Sequence, residues 1–345
     1  MHGGSYIRTM KFHNVPTDPG VDWVTDDAWA IDAPPDSETD PLPDAIWPED
    51  AARTGVCGAV APNVVLLPDG CCRMYYTQIL PRPGYPHGAN DYDNSTARIL
   101  SAISKDGMDW APESGVCLSP KQAGAAEFRV VSPEVVPVAG SFDLLRMHFE
   151  CCPGPQSMPS TIRSALSEDG GLTWRVEPGD RMGSSDRGFS SPRVISLDDG
   201  QSRMYCSERG IGIISALSVD GLNFREEDSI RISRGDRFDT FTAFAPEALR
   251  ISGGGYRMYY SGYSVCDWSQ ILTATSNDGL KWRKHPEPVV APGGSRWDGA
   301  KCSEMCVSRI ADGPDGPRYR LYYEACDGTA ANKRGVWRIA SATSV

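Results

Sequence analysis

The chain has 345 residues, with 34 Lys and Arg against 45 Asp and Glu, a formal net charge of −11 that argues against a nucleic-acid or anionic-membrane surface. Its 35 glycines and 27 prolines interrupt helices, while 40% apolar residues exclude a disordered low-complexity chain, so many short strands joined by turns are expected. No apolar run approaches the roughly 20 residues of a membrane helix.

At the N-terminus, Met1 to Tyr6 carries no charged segment followed by an apolar one, so a cytosolic setting is expected. Eleven cysteines cannot all pair within one chain, and free thiols suit that setting. Val21-Asp22-Trp23-Val24 is expected as a strand. Residues 25–55 are acidic and proline-rich and read as an irregular strap or a linker. The chain thus divides into a closing strand and strap over 1–54 and a repeat region over 55–345.

From residue 61 onward one order of phrases recurs five times. Each unit opens on an apolar run: Ala61-Pro62-Asn63, Ser132-Pro133-Glu134, Ser191-Pro192-Arg193, Ala245-Pro246-Glu247 and Ser303-Glu304-Met305. Next comes Arg73-Met74-Tyr75-Tyr76, matched by Arg146-Met147-His148-Phe149, Arg203-Met204-Tyr205-Cys206, Arg257-Met258-Tyr259-Tyr260 and Arg320-Leu321-Tyr322-Tyr323. A Ser/Thr-Ala phrase follows and ends at Ser104, Ser167, Ser218, Ser276 and Ser344, with spacings of 63, 51, 58 and 68 residues. Four units then close on an Asp-Gly turn and an aromatic: Asp106 and Trp110, Asp169 and Trp174, Asp220 and Phe224, Asp278 and Trp282. The fifth reaches Val345 without one, and the N-terminal strand is expected to fill its place. Four strands per unit around an axis make an all-β, five-bladed β-propeller of antiparallel blades around a central channel.

Equivalent side chains of the five inner strands converge on that channel. The residue after the Ala/Ser-Pro pair is Asn63, Glu134, Arg193 and Glu247; in the fifth unit it is Met305, or Glu304 after a slip of one residue. Buried carboxylates beside an arginine are either used or paired, so a plug of Arg193–Glu ion pairs stands as the plain alternative. The loops after Thr77, Glu150, Ser207, Ser261 and Glu324 open on one mouth, and the first carries Tyr85, His87, Asn90, Asp91, Tyr92 and Asp93. Connections into the inner strands add Glu127, Arg129, Asp186, Arg187, Asp236, Arg237, Asp239, Arg296, Trp297 and Asp298. Such a mixture of polar groups and aromatic faces suits a sugar. His148, alone in a strand, is either a hydrogen-bonded core residue or, facing the channel, a group that orients a carboxylate or ligates a metal, though no second histidine is placed to complete a metal site. Cys302 and Cys306 have no second Cys/His pair at ligand spacing, so no metal and no cofactor is expected.

The pattern resembles the five-bladed propeller glycosidases: the arabinanase/xylosidase, invertase/levansucrase and mannoside-phosphorylase relatives. It rests on Arg296-Trp297-Asp298, Asp236 to Asp239, Ser132-Pro133-Glu134, Arg257 to Gly262 and Ile271 to Trp282, and covers roughly residues 55–345. The resemblance implies a glycoside hydrolase-like enzyme acting on a small-molecule or oligosaccharide substrate through channel carboxylates. Glu247 matches the general acid, with Glu134 or Glu304 as base or nucleophile; Asn63, Arg193, His148, Glu150, His87, Asp239, Asp298, Trp297 and Glu324 are the expected binding residues. Asn63 stands where the family has an aspartate, and Arg193 where it has another acid. Those departures leave open phosphorolysis with Arg193 on phosphate, a repurposed lyase, isomerase or cyclase, and a non-catalytic sugar-binding propeller. Ser167 to Trp174 fits the sialidase Asp-box, a turn that stabilises blades. Nothing in the sequence sets an oligomeric state.

Overall fold

The computed structural model describes residues 17–32, 58–81, 95–125, 128–155, 157–235, 237–265, 268–313, 316–329 and 335–345. The strap beyond Asp32, the loop carrying His87, and Glu127 and Asp236 lie outside the described residues. The regular elements are all strands. Blade I comprises β2 (Gly58–Leu66), β3 (Cys72–Pro81), β4 (Ser95–Ser104) and β5 (Ala111–Pro112). Blade II comprises β6 (Arg129–Val138), β7 (Ser141–Cys152), β8 (Thr161–Ser167) and β9 (Arg175–Val176). In blade III, β10 (Phe189–Ser196), β11 (Ser202–Glu208) and β12 (Gly212–Ser218) are followed by β13 (Arg225–Glu226) and β14 (Ile232–Ser233), both paired to β12. Blade IV holds β15 (Thr242–Arg250), β16 (Tyr256–Val265), β17 (Trp268–Ser276) and β18 (Arg283–Lys284). Blade V holds β19 (Lys301–Gly313), β20 (Gly316–Cys326) and β21 (Trp337–Ser344).

The fourth strand of blade V is β1 (Trp23–Ile31), antiparallel to β21 with Trp23 opposite Ser344. The inner strands β2, β6, β10, β15 and β19 neighbour one another in that order, and β19 returns to β2. The repeat therefore closes on itself. Where blade V meets blade I, Gly58 lies parallel to Trp337; a Cβ at Gly58 would stand 2.5 Å from the Trp337 Cβ, so only glycine permits that approach.

Each closing phrase is a small hydrogen-bonded turn. In blade I, Ser104 Oγ donates to Asp106 Oδ1 (2.9 Å) and accepts from Gly107 N, while Asp106 Oδ1 also accepts from Met108 N and Asp109 N. The arginine and first aromatic of the second strand grip the turn of the next blade. Tyr75 OH donates to Gly171 O at 3.1 Å, Tyr205 OH to Gly279 O at 2.8 Å, and Tyr322 OH to Gly107 O. Each ring also meets the neighbouring turn's aromatic edge to face, as Tyr75 does Trp174 and Tyr322 does Trp110. The core consequently lies between blades, and the alanines Ala102, Ala165, Ala216, Ala274 and Ala342 are fully buried.

Blade IV grips the N-terminus. Tyr259 OH donates to Gly20 O at 2.7 Å, Arg257 pairs with Asp18, and Trp23 stands edge to face on Tyr259 at 5.7 Å. Asp18-Pro19-Gly20-Val21-Asp22-Trp23 is thus a fifth copy of the closing phrase, spaced like Asp169 to Trp174. The match extends three residues: Arg73, Arg146 and Arg203 pair with Glu113, Glu177 and Glu227, and Arg320 lies 3.4 Å from Asp26. Trp23 is partly buried, so Trp23→Ala should cost about 2–3 kcal/mol, at or below the low end for a fully buried aromatic truncation. Urea midpoints for this variant and Trp174→Ala should fall together; an unchanged midpoint for Trp23→Ala would show that blade V closes without its aromatic.

Candidate functional site

Two stacked rings of inter-blade hydrogen bonds cross the channel. Both follow from one backbone device. In every inner strand one residue adopts positive φ at a bulge: Ala61 (51°), Ser132 (55°), Ser191 (48°), Ala245 (50°) and Glu304 (21°). The turned-out N–H of that residue reaches a side chain at the end of the preceding blade's second strand. Ser132 N donates to Thr77 Oγ1 (3.1 Å), Ala245 N to Ser207 Oγ (2.8 Å) and Glu304 N to Ser261 Oγ (2.9 Å). Ala61 N donates to the Glu324 carboxylate in the same way.

Two residues further along, the side chain accepts an N–H from the next blade. Val135 N donates to Asn63 Oδ1 (3.0 Å), Val194 N to Glu134 Oε1 (2.9 Å), Val307 N to Glu247 Oε1 (3.0 Å), and Val64 N to Cys306 Sγ (3.3 Å). These contacts correct the expected register of the fifth strand. Cys306, opposite Tyr322, is the equivalent of Asn63, Glu134, Arg193 and Glu247. Glu304 takes the place of Ala61, Ser132, Ser191 and Ala245, and Met305 that of the prolines.

The lower ring is a filled plug. Arg193 is 2% exposed; its Nε donates to Glu247 Oε2 at 2.9 Å, Nη1 to Pro192 O, and Nη2 to Pro62 O and Met305 O. Asn63 Nδ2 donates to Glu134 Oε2 at 2.6 Å. Every carboxylate oxygen of Glu134 and Glu247 is therefore engaged. Burial raises both carboxyls, and Arg193 opposes the rise. Neither glutamate is free in this arrangement to exchange a proton with a substrate, and every nitrogen of Arg193 already donates to a protein oxygen.

The mouth above the plug is different. Glu304, Glu150 and Glu324 converge there, and Glu304 is close enough to oppose ionisation of the other two. Glu304 is 8% exposed and its Oε1 is buried without a hydrogen-bond partner among the described residues. The Glu324 carboxyl is pushed up to about 8, by burial first and then by Glu304, although Ser303 Oγ donates to its Oε1 at 2.5 Å. Burial likewise raises Glu150, whose Oε1 accepts from Cys152 Sγ at 3.2 Å. A site with a protonated carboxyl beside others can perform general acid–base chemistry.

Among the described residues, the remaining expected binding residues are used by the scaffold. Asp239 pairs with Lys284 Nζ (2.6 Å) and accepts from Tyr260 OH, and Asp298 accepts from Ser295 N and from Tyr323 OH (2.9 Å). Trp297 packs edge to face on Trp29 of β1 at 4.4 Å. His148 occupies the gripping position between blades II and III, not the channel: its Nε2 donates to Gly221 O at 3.2 Å, and Phe224 stands edge to face on its ring. Neither Cys302 nor Cys306 is in a disulfide.

Burial lowers the His148 imidazole to about 4. The unfolded chain, with an ordinary imidazole near 6.5, therefore binds more protons between pH 6.5 and 4, and stability falls as pH drops through that window. The double variant His148→Tyr with Phe224→Trp gives blade II the pair that blades I and III use. It should remove up to about 3 kcal/mol of acid sensitivity across that window. Stability-versus-pH curves that coincide for both proteins would rule this out.

No family model matches the chain, and no curated protein matches it in sequence. Solved structures do. A thermostable family-43 glycoside hydrolase is 16% identical with a TM-score of 0.63, over 84% of this chain and 89% of that one. A putative glycosidase from Bacteroides thetaiotaomicron is 15% identical with a TM-score of 0.68, over 94% and 97%. A β-1,2-mannobiose phosphorylase from Listeria innocua is 14% identical with a TM-score of 0.62, over 83% and 89%. The fold is that of the propeller glycosidases. On this propeller-glycosidase fold, blades II and V bring the carboxyls to the mouth.

Proposed function

We propose that the protein is a glycoside hydrolase-like enzyme that cleaves a glycosidic bond at the channel mouth. Glu304 serves as base or nucleophile and Glu324 as proton donor, with Glu150 flanking them. The observation that carries this reading is the unpartnered, buried Oε1 of Glu304. The repeat strengthens it. At the bulge the other four blades carry Ala or Ser, and at the end of the second strand three carry Thr or Ser; Glu304, Glu150 and Glu324 are the exceptions, and they meet. Glycoside cleavage needs two carboxyl groups in unlike protonation states, which burial and mutual repulsion supply.

Hydrolysis is favoured over phosphorolysis because Arg193, expected to hold phosphate, spends its donors on Glu247 and three carbonyls. Incubating the full chain with a panel of aryl glycosides and oligosaccharides, with and without inorganic phosphate, tests the proposal. Phosphate-independent release of reducing sugar is expected. Release that requires phosphate would replace hydrolysis by phosphorolysis, and saturable binding without product would leave a sugar-binding propeller.

A further inference from the structure

Among the described residues two cations reach the mouth carboxyls: Arg209 beside Glu150, and Lys301 beside Glu324. Lys301 opens β19, two residues before Ser303, and lies near enough to Glu324 to temper the rise of its carboxyl. Its Nζ stands 5.9 Å from the ring centre of Tyr263 and 5.6 Å from that of Trp337. Tyr263 comes near the end of β16 and Trp337 at the start of β21, so all three belong to the end of blades IV and V that carries Glu324. The three side chains are each partly exposed. Phe244 extends the aromatic surface, 5.4 Å from Tyr263.

Among the described residues Lys301 forms no ion pair and donates no hydrogen bond. Two aromatic faces hold an ammonium by cation–π attraction without consuming its N–H donors. A cation positioned in this way, beside carboxyls in an acidic protein, keeps its hydrogen-bonding capacity for an incoming anion. Aromatic faces next to it offer apolar contact to the C–H face of a pyranose. One compact ammonium matches a monoanion, whereas a phosphate dianion is better met by arginine forks or clustered backbone N–H groups.

We propose that Lys301, framed by Tyr263 and Trp337, recognises the carboxylate of a uronic acid residue in the substrate. The assignment rests on the glycosidase reading for its location and names the substrate class of that site. The carboxylate accepts from Lys301 Nζ while the ring of the uronic acid lies against the aromatic surface, which places its glycosidic linkage toward Glu324 and Glu304.

Calorimetric titration of the full chain with glucuronate, galacturonate, glucose, galactose and glucose 6-phosphate tests it. At least one uronate should bind about tenfold or more tightly than its neutral counterpart, the worth of a charged hydrogen bond. Lys301→Met should bring the uronates down to the level of the neutral sugars with an unchanged circular dichroism spectrum, and Lys301→Arg should retain most of the preference. Equal binding of neutral and acidic sugars, a preference for glucose 6-phosphate, no binding of any of the five, or an unaltered preference in Lys301→Met would each overturn the assignment. Uronate binding without turnover of any glycoside would leave it standing and remove the hydrolase reading instead.

Discussion

Glu304→Gln is expected to lower turnover by about two to four orders of magnitude, the usual contribution of a positioned acid or base, while the protein stays folded. The reasoning is local. Oε1 of Glu304 has no partner to lose, and the strand is held by its backbone N–H on Ser261 Oγ, which the substitution leaves intact. The pH profile adds a second reading. With its carboxyl raised to about 8, Glu324 donates a proton below that pH, so wild-type activity should fall as pH rises through about 8. Glu324→Gln should remove that limb together with most of the activity. An active Glu304→Gln variant would exclude the assignment, and so would an inactive one whose melting temperature collapses, because the loss would then be structural.

The four-phrase repeat is legible in the sequence because each phrase answers a local requirement. Asp106, Asp169, Asp220 and Asp278 cap turns with their own side chains, and the Ser-Ala strands need small residues where blades pack. The pockets between blades are harder to read. Cys306 escapes notice because the fifth strand has Glu304-Met305 where the others have a small residue and a proline; only the Glu304 N to Ser261 contact sets its register. The fifth closing phrase is written in Asp18, Gly20, Trp23 and Asp26, yet Pro19 replaces the usual glycine and more than 300 residues separate it from β21. Glu150 and Glu324 stand out once Thr77, Ser207 and Ser261 are seen as their equivalents. The roles of Glu134 and Glu247 depend on side-chain pairing across the channel, which the strand pattern does not encode.

That pairing has a measurable consequence. Arg193→Met should destabilise the protein by about 3–5 kcal/mol, because it leaves Glu134 and Glu247 buried beside each other without their cation. Both carboxyls already sit above their usual value, with burial as the main cause and Arg193 as the main restraint. Without Arg193 they rise further. The folded state then holds protons that the unfolded chain, with ordinary glutamates, releases above about pH 4.5. Stability must therefore fall as pH increases from 5 to 8, and the deficit of Arg193→Met should widen across that range. Neutralising the acids as well, in Arg193→Met with Glu134→Gln and Glu247→Gln, keeps acceptors for Val194 N and Val307 N and should recover most of the loss while flattening its pH dependence. A catalytic arginine at the mouth would behave differently, abolishing turnover with little change in folding. Denaturant titrations of the single and triple variants at pH 5 and 8 separate the two cases: a small, pH-independent effect of Arg193→Met would dissolve the plug and return Glu134 and Glu247 to the chemistry.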